Sequence, residues 1–447
     1  MRRFRLAIWL GLLAVAPLLR AADPVKRVLM VSIDGLMPGY YVRADELGMK
    51  IPNLRRLMRE GAYATGVVGV LPTVTYPSHT TLISGVPPRI HGIASNTVFD
   101  PYGRSGGAWE WYASAIQVPT LVSAARDRAL TTASVSWPVS VGIGSDSCLP
   151  EFWRPGSEHE IDLKLLELAS TPGLVDRIAR HRGRPFPYPL TEAERVDAAV
   201  YVLEVARPQL TLLHILDLDG AEHHHGPWSA EATAAVEKSD ADLGRVLAAL
   251  KAAGVEKETL VAVVSDHGFL PISRTLRPNV LLREAGLIQV GTNGKVTSWK
   301  AIFHSNGGSA ALHLEDGADP ALLARVRDLF ESRRREPGSG IRDILDREQV
   351  KSFGGTDSAL VLNAHEGVSF SGAVVGEWSG PSAADSKGNH GYVPDRDELH
   401  ASLILSGPGF EGRGNLGVVR MTAIAPTLAR YLGLTLDPRA DSPLPSR

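Results

Sequence analysis

The sequence predicts an α/β fold: a mostly parallel central sheet with helices on both faces and a small inserted cap lobe. Three observations predict it. Short apolar runs at 28–33, 210–216 and 260–265 alternate with helical patterns, the signature of βαβ units. Each run ends in acidic residues, at Asp34-Gly35, at Asp217 and Asp219, and at Asp266-His267-Gly268, and open α/β sheets collect ligands at the carboxyl ends of their strands. Finally, the stretch between His267 and His390 carries its own strand (310–314) and its own helix (320–331, apolar at Leu322, Leu323, Val326 and Leu329), which places an inserted lobe at about 290–385.

From the N-terminus, Met1-Arg2-Arg3-Phe4-Arg5, an apolar run at 6–19 and Arg20-Ala21-Ala22-Asp23 follow the zone order of a secretory signal; the alternative reading is a buried N-terminal helix. The apolar part is short for a membrane span, and no other stretch approaches one. The expectation is a signal at 1–22 and an exported, periplasmic or secreted catalytic domain at 23–447. Of 447 residues, 44% are hydrophobic, enough for a large core. With Lys+Arg 47 against Asp+Glu 49 the net charge is −2, which gives no electrostatic case for a nucleic-acid polymer or an acidic membrane as partner, so an anionic small molecule must be held locally. Cys148 is the only cysteine; it excludes an internal disulfide and reads as a small buried hydrophobe. The clearest helix is 229–253, with Val236, Leu243, Leu247 and Leu250 on one face, Ser229 to cap it and Gly254 to end it. A strand at 402–405 and a last helix at 422–434 stopped by Gly433 complete the chain, and Arg333-Arg334-Arg335-Glu336 reads as a solvated helix end.

Chemistry concentrates in three further segments. In Leu71 to Gly85, Pro77 suits a first helical turn and Gly85 an end, so a helix at 77–84 would set Thr75 just before its N-terminus, where unpaired amides favour a phosphate. A hydroxyl there is a candidate nucleophile if a metal lowers its pKa; the alternative is that Thr73 or Thr75 merely caps the helix. Asp219 and His223 are four residues apart, a spacing that brings both to one side of a helix, while His224 and His225 read as bystanders. Lys387-Gly388-Asn389-His390-Gly391-Tyr392 sets His390 between glycines, where backbone approaches a site closely.

As a set and in this order, Asp34, Thr75, Asp219, His223, Asp266, His267 and His390 resemble the nucleotide pyrophosphatase/phosphodiesterase family of the alkaline phosphatase superfamily. The resemblance covers most of the chain from Val28 to the C-terminal helix and implies an alkaline-phosphatase-like fold. It also implies two zinc ions, one held by Asp219, His223 and His390, the other by Asp34, Asp266 and His267 and bound to the Thr75 oxygen. Asn96, 21 residues after Thr75 (96 minus 75), resembles the family's amide donor to a phosphoryl oxygen. The implied reaction is cleavage of a phosphodiester or pyrophosphate bond in a small-molecule or nucleotide substrate through a phospho-Thr75 intermediate. Oxygen and imidazole ligands without thiolate suit zinc and also admit manganese or iron. Tyr76 keeps the aromatic that follows the nucleophile and that would stack on a base, whereas His214 stands where nucleotide-cleaving relatives often carry a second aromatic. The family's Asp-Ser-Ser-Gly-His becomes Asp219-Gly220-Ala221-Glu222-His223. Trp109, Trp111, Tyr112 and Trp137 are read either as a leaving-group pocket or as core. Cys148-Leu149-Pro150-Glu151-Phe152 lacks the arginine of a sulfatase motif, which sets that class aside. A phosphomonoesterase or phosphonate hydrolase on the same scaffold is the enzymatic rival; no arginine stands near the motifs in sequence, which favours diesters. Every expected ligand position is filled, which argues against an inert binding protein on this scaffold.

Overall fold

Strand Arg27–Ile33 sends alternate side chains into two apolar layers, and the rest of the chain is built around that alternation. In a computed structural model that describes residues 26–154, 159–317 and 319–446, Leu29, Val31 and Ile33 pack in one core with Val236, Leu243 and Leu250 of helix Ala230–Ala252. Val28 and Met30 face a second core with Leu82 and Ile83 of helix Thr75–Ser84 and Leu428 of helix Ile424–Leu432. Burial on both faces accounts for the nearly unbroken apolar runs of the central strands. The signal expected at 1–22 lies outside the described residues.

The sheet has eight strands in the order Gly414–Asn415, Ala62–Tyr63, Leu403–Ser406, Thr259–Val264, Arg27–Ile33, Leu210–Ile215, Thr132–Val135, Ser147–Leu149. The last five are mutually parallel, and Leu403–Ser406 joins them antiparallel to Thr259–Val264. Arg27–Ile33 lies between Thr259–Val264 and Leu210–Ile215, with Ser32 level with both Val264 and His214. The three acid-delivering strands are therefore neighbours, and their carboxyl ends meet at one place on the sheet edge.

The long helix begins as expected, with Ser229 Oγ accepting the Ala232 N–H at 3.1 Å, and Gly254 follows it with φ +72°. The last helix is shorter than the 422–434 expectation, because Met421–Ala423 forms a separate 3-10 turn before Ile424; Gly433 ends it in the left-handed conformation. Beside the sheet stands a four-stranded antiparallel sheet in the order Ala301–Asn306, Ser309–Leu314, Leu360–Ala364, Ile341–Asp346, covered by helix Pro320–Arg334 through Val326 and Phe330. Its apolar cluster already includes Leu270, Leu276, Leu281 and Leu282, because strand Leu270–Leu276 pairs with Gly367–Phe370 and Ser379–Pro381. Among the described residues no helix is long and apolar enough to cross a membrane. Cys148 is buried, and burial pushes its thiol up to about 12, which removes it as a nucleophile.

Candidate active site

The strand ends bring six side chains together. Asp219 and His223 project from helix Asp217–His225, which follows strand Leu210–Ile215, and Asp219 Oδ1 lies 3.4 Å from His223 Nε2 and 3.7 Å from His390 Nε2. Both imidazoles hold Nδ1 against a backbone carbonyl, His223 to Gly388 O and His390 to Thr73 O, each at 3.0 Å. The carbonyls fix the tautomer and leave the two Nε2 lone pairs directed at Asp219. On the other side of Asp219, His267 Nε2 lies 3.5 Å from Asp34 Oδ1 and 3.0 Å from Asp266 Oδ2. Ligand atoms of Asp219, His223 and His390 fall within 4.8 Å of one another, as do those of Asp34, Asp219 and His267. Asp219 thus reaches both clusters, a sharing that spacing in the sequence did not reveal, and Asp266 stands against the second cluster through His267.

This donor set fits a pair of cations. Asp34 Oδ1, Asp219 Oδ1, Asp266 Oδ2 and His267 Nε2 are all buried without a hydrogen-bond partner, whereas Asp34 Oδ2 meets His214 Nε2 at 3.0 Å and Asp266 Oδ1 accepts the Gly35 N–H at 3.1 Å. One oxygen of each of these two carboxylates is tied to protein and the other is left over, which is what metal coordination needs. Burial, together with the facing Asp266 and Asp219 carboxylates, holds Asp34 well above the usual carboxylate range. Cations relieve that crowding of like charge.

Helix Thr75–Ser84 starts two residues earlier than its proline suggested, with Val74 as the extended residue before it. Neither Thr73 nor Thr75 caps it: Thr73 Oγ1 donates to Tyr392 O at 3.0 Å. The expected row of unpaired amides is also reduced. The Tyr76 N–H donates to Asn96 Oδ1 at 2.8 Å, Pro77 has no N–H, and the Ser78 N–H is bonded to Val74 O. Among the described residues no partner stands against the Thr75 amide, and Asn96, with its oxygen engaged by Tyr76, has none at its NH2 group. Thr75, Asp34 and Asp219 line one cavity of about 360 Å³.

The profile of the type I phosphodiesterase / nucleotide pyrophosphatase family matches residues 28–393, most of the chain. The chain belongs to that family. It is 27% identical over 251 residues to ectonucleotide pyrophosphatase/phosphodiesterase family member 1 of Rattus norvegicus, covering 54% of this chain and 24% of that one. The chain spans less than half the length of the curated relatives it matches. Human ectonucleotide pyrophosphatase/phosphodiesterase 5 superposes with a TM-score of 0.66 at 19% identity over 93% of this chain and 97% of that chain. The murine form, described as an inactive threonine-to-alanine variant in complex with AMP, gives 0.65 at 20% identity with the same coverage. The fold of this phosphodiesterase-family chain is accordingly alkaline-phosphatase-like, an α/β sheet of mostly parallel strands.

Two residues expected to contact substrate do not face the cavity of this family member. Tyr76 is fully buried: its hydroxyl donates to Glu151 Oε1 at 3.0 Å and its ring packs edge-on against Trp109 at 5.2 Å. His214 is equally buried, because its place on strand Leu210–Ile215, level with Ser32, turns it beneath Asp34. Burial alone would lower the His214 pKa, but hydrogen bonds to Asp34 and Glu151 carry it up to about 10. The aromatic wall is instead made by Trp109, Phe152, Trp153 and Tyr188, with Trp109 and Trp153 ring centres 4.7 Å apart. Of the other aromatics in the pocket expectation, Trp137 is buried against His79, Trp111 against Phe152, and Tyr112 is exposed. Arg195 of helix Glu192–Tyr201 also lines the cavity, so an arginine does stand beside these motifs, brought there from far along the chain. Glu151 follows strand Ser147–Leu149 at the same sheet edge as the metal-type residues, so the strand-end pattern that points to those residues points to it as well.

Proposed function

We propose that this chain is an exported, metal-dependent hydrolase of phosphodiester or pyrophosphate bonds that works through a phospho-Thr75 intermediate. The observation that carries the reading is the pair of carboxylate and imidazole clusters meeting at Asp219, with unpartnered ligand atoms on Asp34 and Asp219, which share a cavity with Thr75 at the start of its helix. Asp219, His223 and His390 would hold one zinc ion and Asp34, Asp266 and His267 the other, with Asp219 in reach of both. Bound there, the ions supply a lowered pKa for the Thr75 hydroxyl and positive charge for the phosphoryl oxygens. Thr75 Oγ, its proton given up to solvent, then attacks phosphorus, forming one O–P bond as the bond to the leaving oxygen breaks, and that oxygen takes up a proton from solvent. The Asn96 NH2 and the Thr75 amide donate to the phosphoryl oxygens as charge develops. Water hydrolyses the phospho-threonine, releases the phosphorylated product and restores the hydroxyl. The inactive threonine variant named for the murine relative agrees with that role, and the aromatic wall suits a nucleoside or another flat group.

A specific observation also favours a second reading, a phosphomonoesterase or phosphonate hydrolase. Arg195 in the cavity offers the cation that a doubly charged phosphoryl group needs. Comparing p-nitrophenyl phosphate with the p-nitrophenyl ester of thymidine monophosphate separates the two, and a strong monoester preference would reverse the assignment. For the main reading, the purified chain is expected to carry two zinc ions and to lose activity in EDTA. Thr75→Ala should lower kcat by roughly a thousandfold or more while both ions stay bound. Near-normal turnover in that variant would exclude the mechanism. Export from the leader at 1–22 is tested by N-terminal sequencing of the mature protein.

A further inference from the structure

We infer that Glu151 and His214 form a buried positioning pair that fixes the Asp34 carboxylate for metal binding and ties it to the wall of the substrate cavity. The inference rests on the metal-dependent reading of the site. His214 Nδ1 lies 2.8 Å from Glu151 Oε2 and 3.2 Å from Ser136 O. Both are acceptors, so Nδ1 carries a hydrogen. On the far side of the ring Nε2 meets Asp34 Oδ2 at 3.0 Å, and with Asp34 ionised as a ligand this nitrogen donates as well. Glu151 Oε1 in turn accepts the Tyr76 hydroxyl at 3.0 Å. His214 is 0% exposed, Asp34 2% and Glu151 6%, so water does not compete for these bonds.

The consequence is orientational. With Oδ2 held by His214, the Asp34 carboxylate cannot rotate, and its unpartnered Oδ1 stays 3.5 Å from His267 Nε2, inside the cluster shared with Asp219. Metal ligands held this way lose little freedom on binding, which raises affinity. Turning Tyr76 and His214 outward to sandwich a flat ligand would break the bonds to Glu151 and Asp34 and leave two buried carboxylates unpaired. Glu151 is also part of the wall that carries Trp109 and Trp153, so a group filling the cavity bears on the residue that anchors His214.

The test titrates the chelator-stripped full-length chain with Zn2+ by calorimetry and measures kcat and KM on the thymidine monophosphate ester. His214→Phe keeps the ring and removes both hydrogen bonds. It should weaken Zn2+ ten- to a hundredfold at one of the two sites, leave the other essentially unchanged, and lower kcat with KM within about twofold. His214→Gln, which retains a donor where Nε2 stood, should recover part of that loss. Glu151→Gln should shift the same site in the same direction by less, and it decides the matter alone if His214→Phe does not fold. Unchanged Zn2+ affinity at both sites, or a raised KM with both affinities intact, overturns the inference. A wild-type chain that takes up no Zn2+ would overturn the metal-dependent reading instead, so the two failures are distinguishable.

Discussion

His91 shows how one side chain sets a pH limit on stability. Its Nδ1 accepts the Ile93 N–H at 3.1 Å, and its Nε2 donates at 3.0 Å to Thr81 Oγ1, whose own hydrogen goes to Pro77 O. The ring is neutral in this network, and burial lowers its pKa to about 3. An unfolded histidine titrates near 6.5. The folded value is depressed, so the stabilisation is complete above about pH 6.5 and is lost as pH falls toward 3, by up to about 1.4 kcal/mol per pH unit. Urea unfolding across pH 6 to 4 should show a shallower fall for His91→Gln than for the wild type, and parallel curves would contradict this account. Asn96 acts at the same scale. Its oxygen is held by the Tyr76 N–H, which aims the NH2 group, so Asn96→Ala should lower kcat by about a hundredfold, as removal of one transition-state donor does. Asn96→Asp keeps the acceptor but replaces the donor with an anion and should be at least as damaging; wild-type kcat in either variant would remove Asn96 from the reaction.

The loop that carries His390 is an element held by backbone. The Gly391 N–H donates to Thr73 O at 2.9 Å, and a Cβ on Gly391 would lie 1.6 Å from Asn306 O at a φ of +88°. Gly391→Ala must displace the loop, so it should weaken Zn2+ at the Asp219–His223–His390 site by more than tenfold without changing the far-ultraviolet circular dichroism. Equal affinity would mean that the loop repacks. Ser229→Ala makes a contrast far from chemistry: the lost cap should lower stability by about 1 kcal/mol with kcat unchanged. These elements also mark what the sequence discloses. Strand ends and the period of helix 230–252 are local patterns, and each is found where those patterns put it, whereas His390 owes its place to the set of residues and not to its own flanks. The roles of Tyr76 and His214 were not legible, because they depend on Glu151, 75 and 63 residues away, which no periodicity links to them. The helix start at Thr75 was likewise fixed by a distant partner, Asn96.

Across the whole molecule, the sheet topology crowds carboxyl groups at one edge, where His267 holds Asp266 well below the usual carboxylate range against its burial while Asp34 is held well above it. Asp34, Asp219 and Asp266 meet at the ends of adjacent strands, and Glu222, buried beside them with Oε2 unpartnered, is pushed well above the usual carboxylate range by burial and by those three neighbours. Two cations shared between the clusters would offset that charge, and because their ligands come from 34 to 390 in the chain, binding them stabilises the native arrangement of the sheet, the helix 217–225 and the 388–392 loop together. A ligand that binds only the folded state contributes about 4 kcal/mol when present at a thousand times its Kd. Thermal unfolding of the holo chain should therefore shift down by several degrees in EDTA and recover on adding Zn2+ in excess of the chelator. The shift should shrink in Asp219→Asn more than in any single substitution at His223 or His390, since Asp219, unlike those two, reaches both clusters. A Tm indifferent to EDTA in the wild type would mean that the acidic cluster is balanced by protonation alone, and the metal-dependent reading would fall with it.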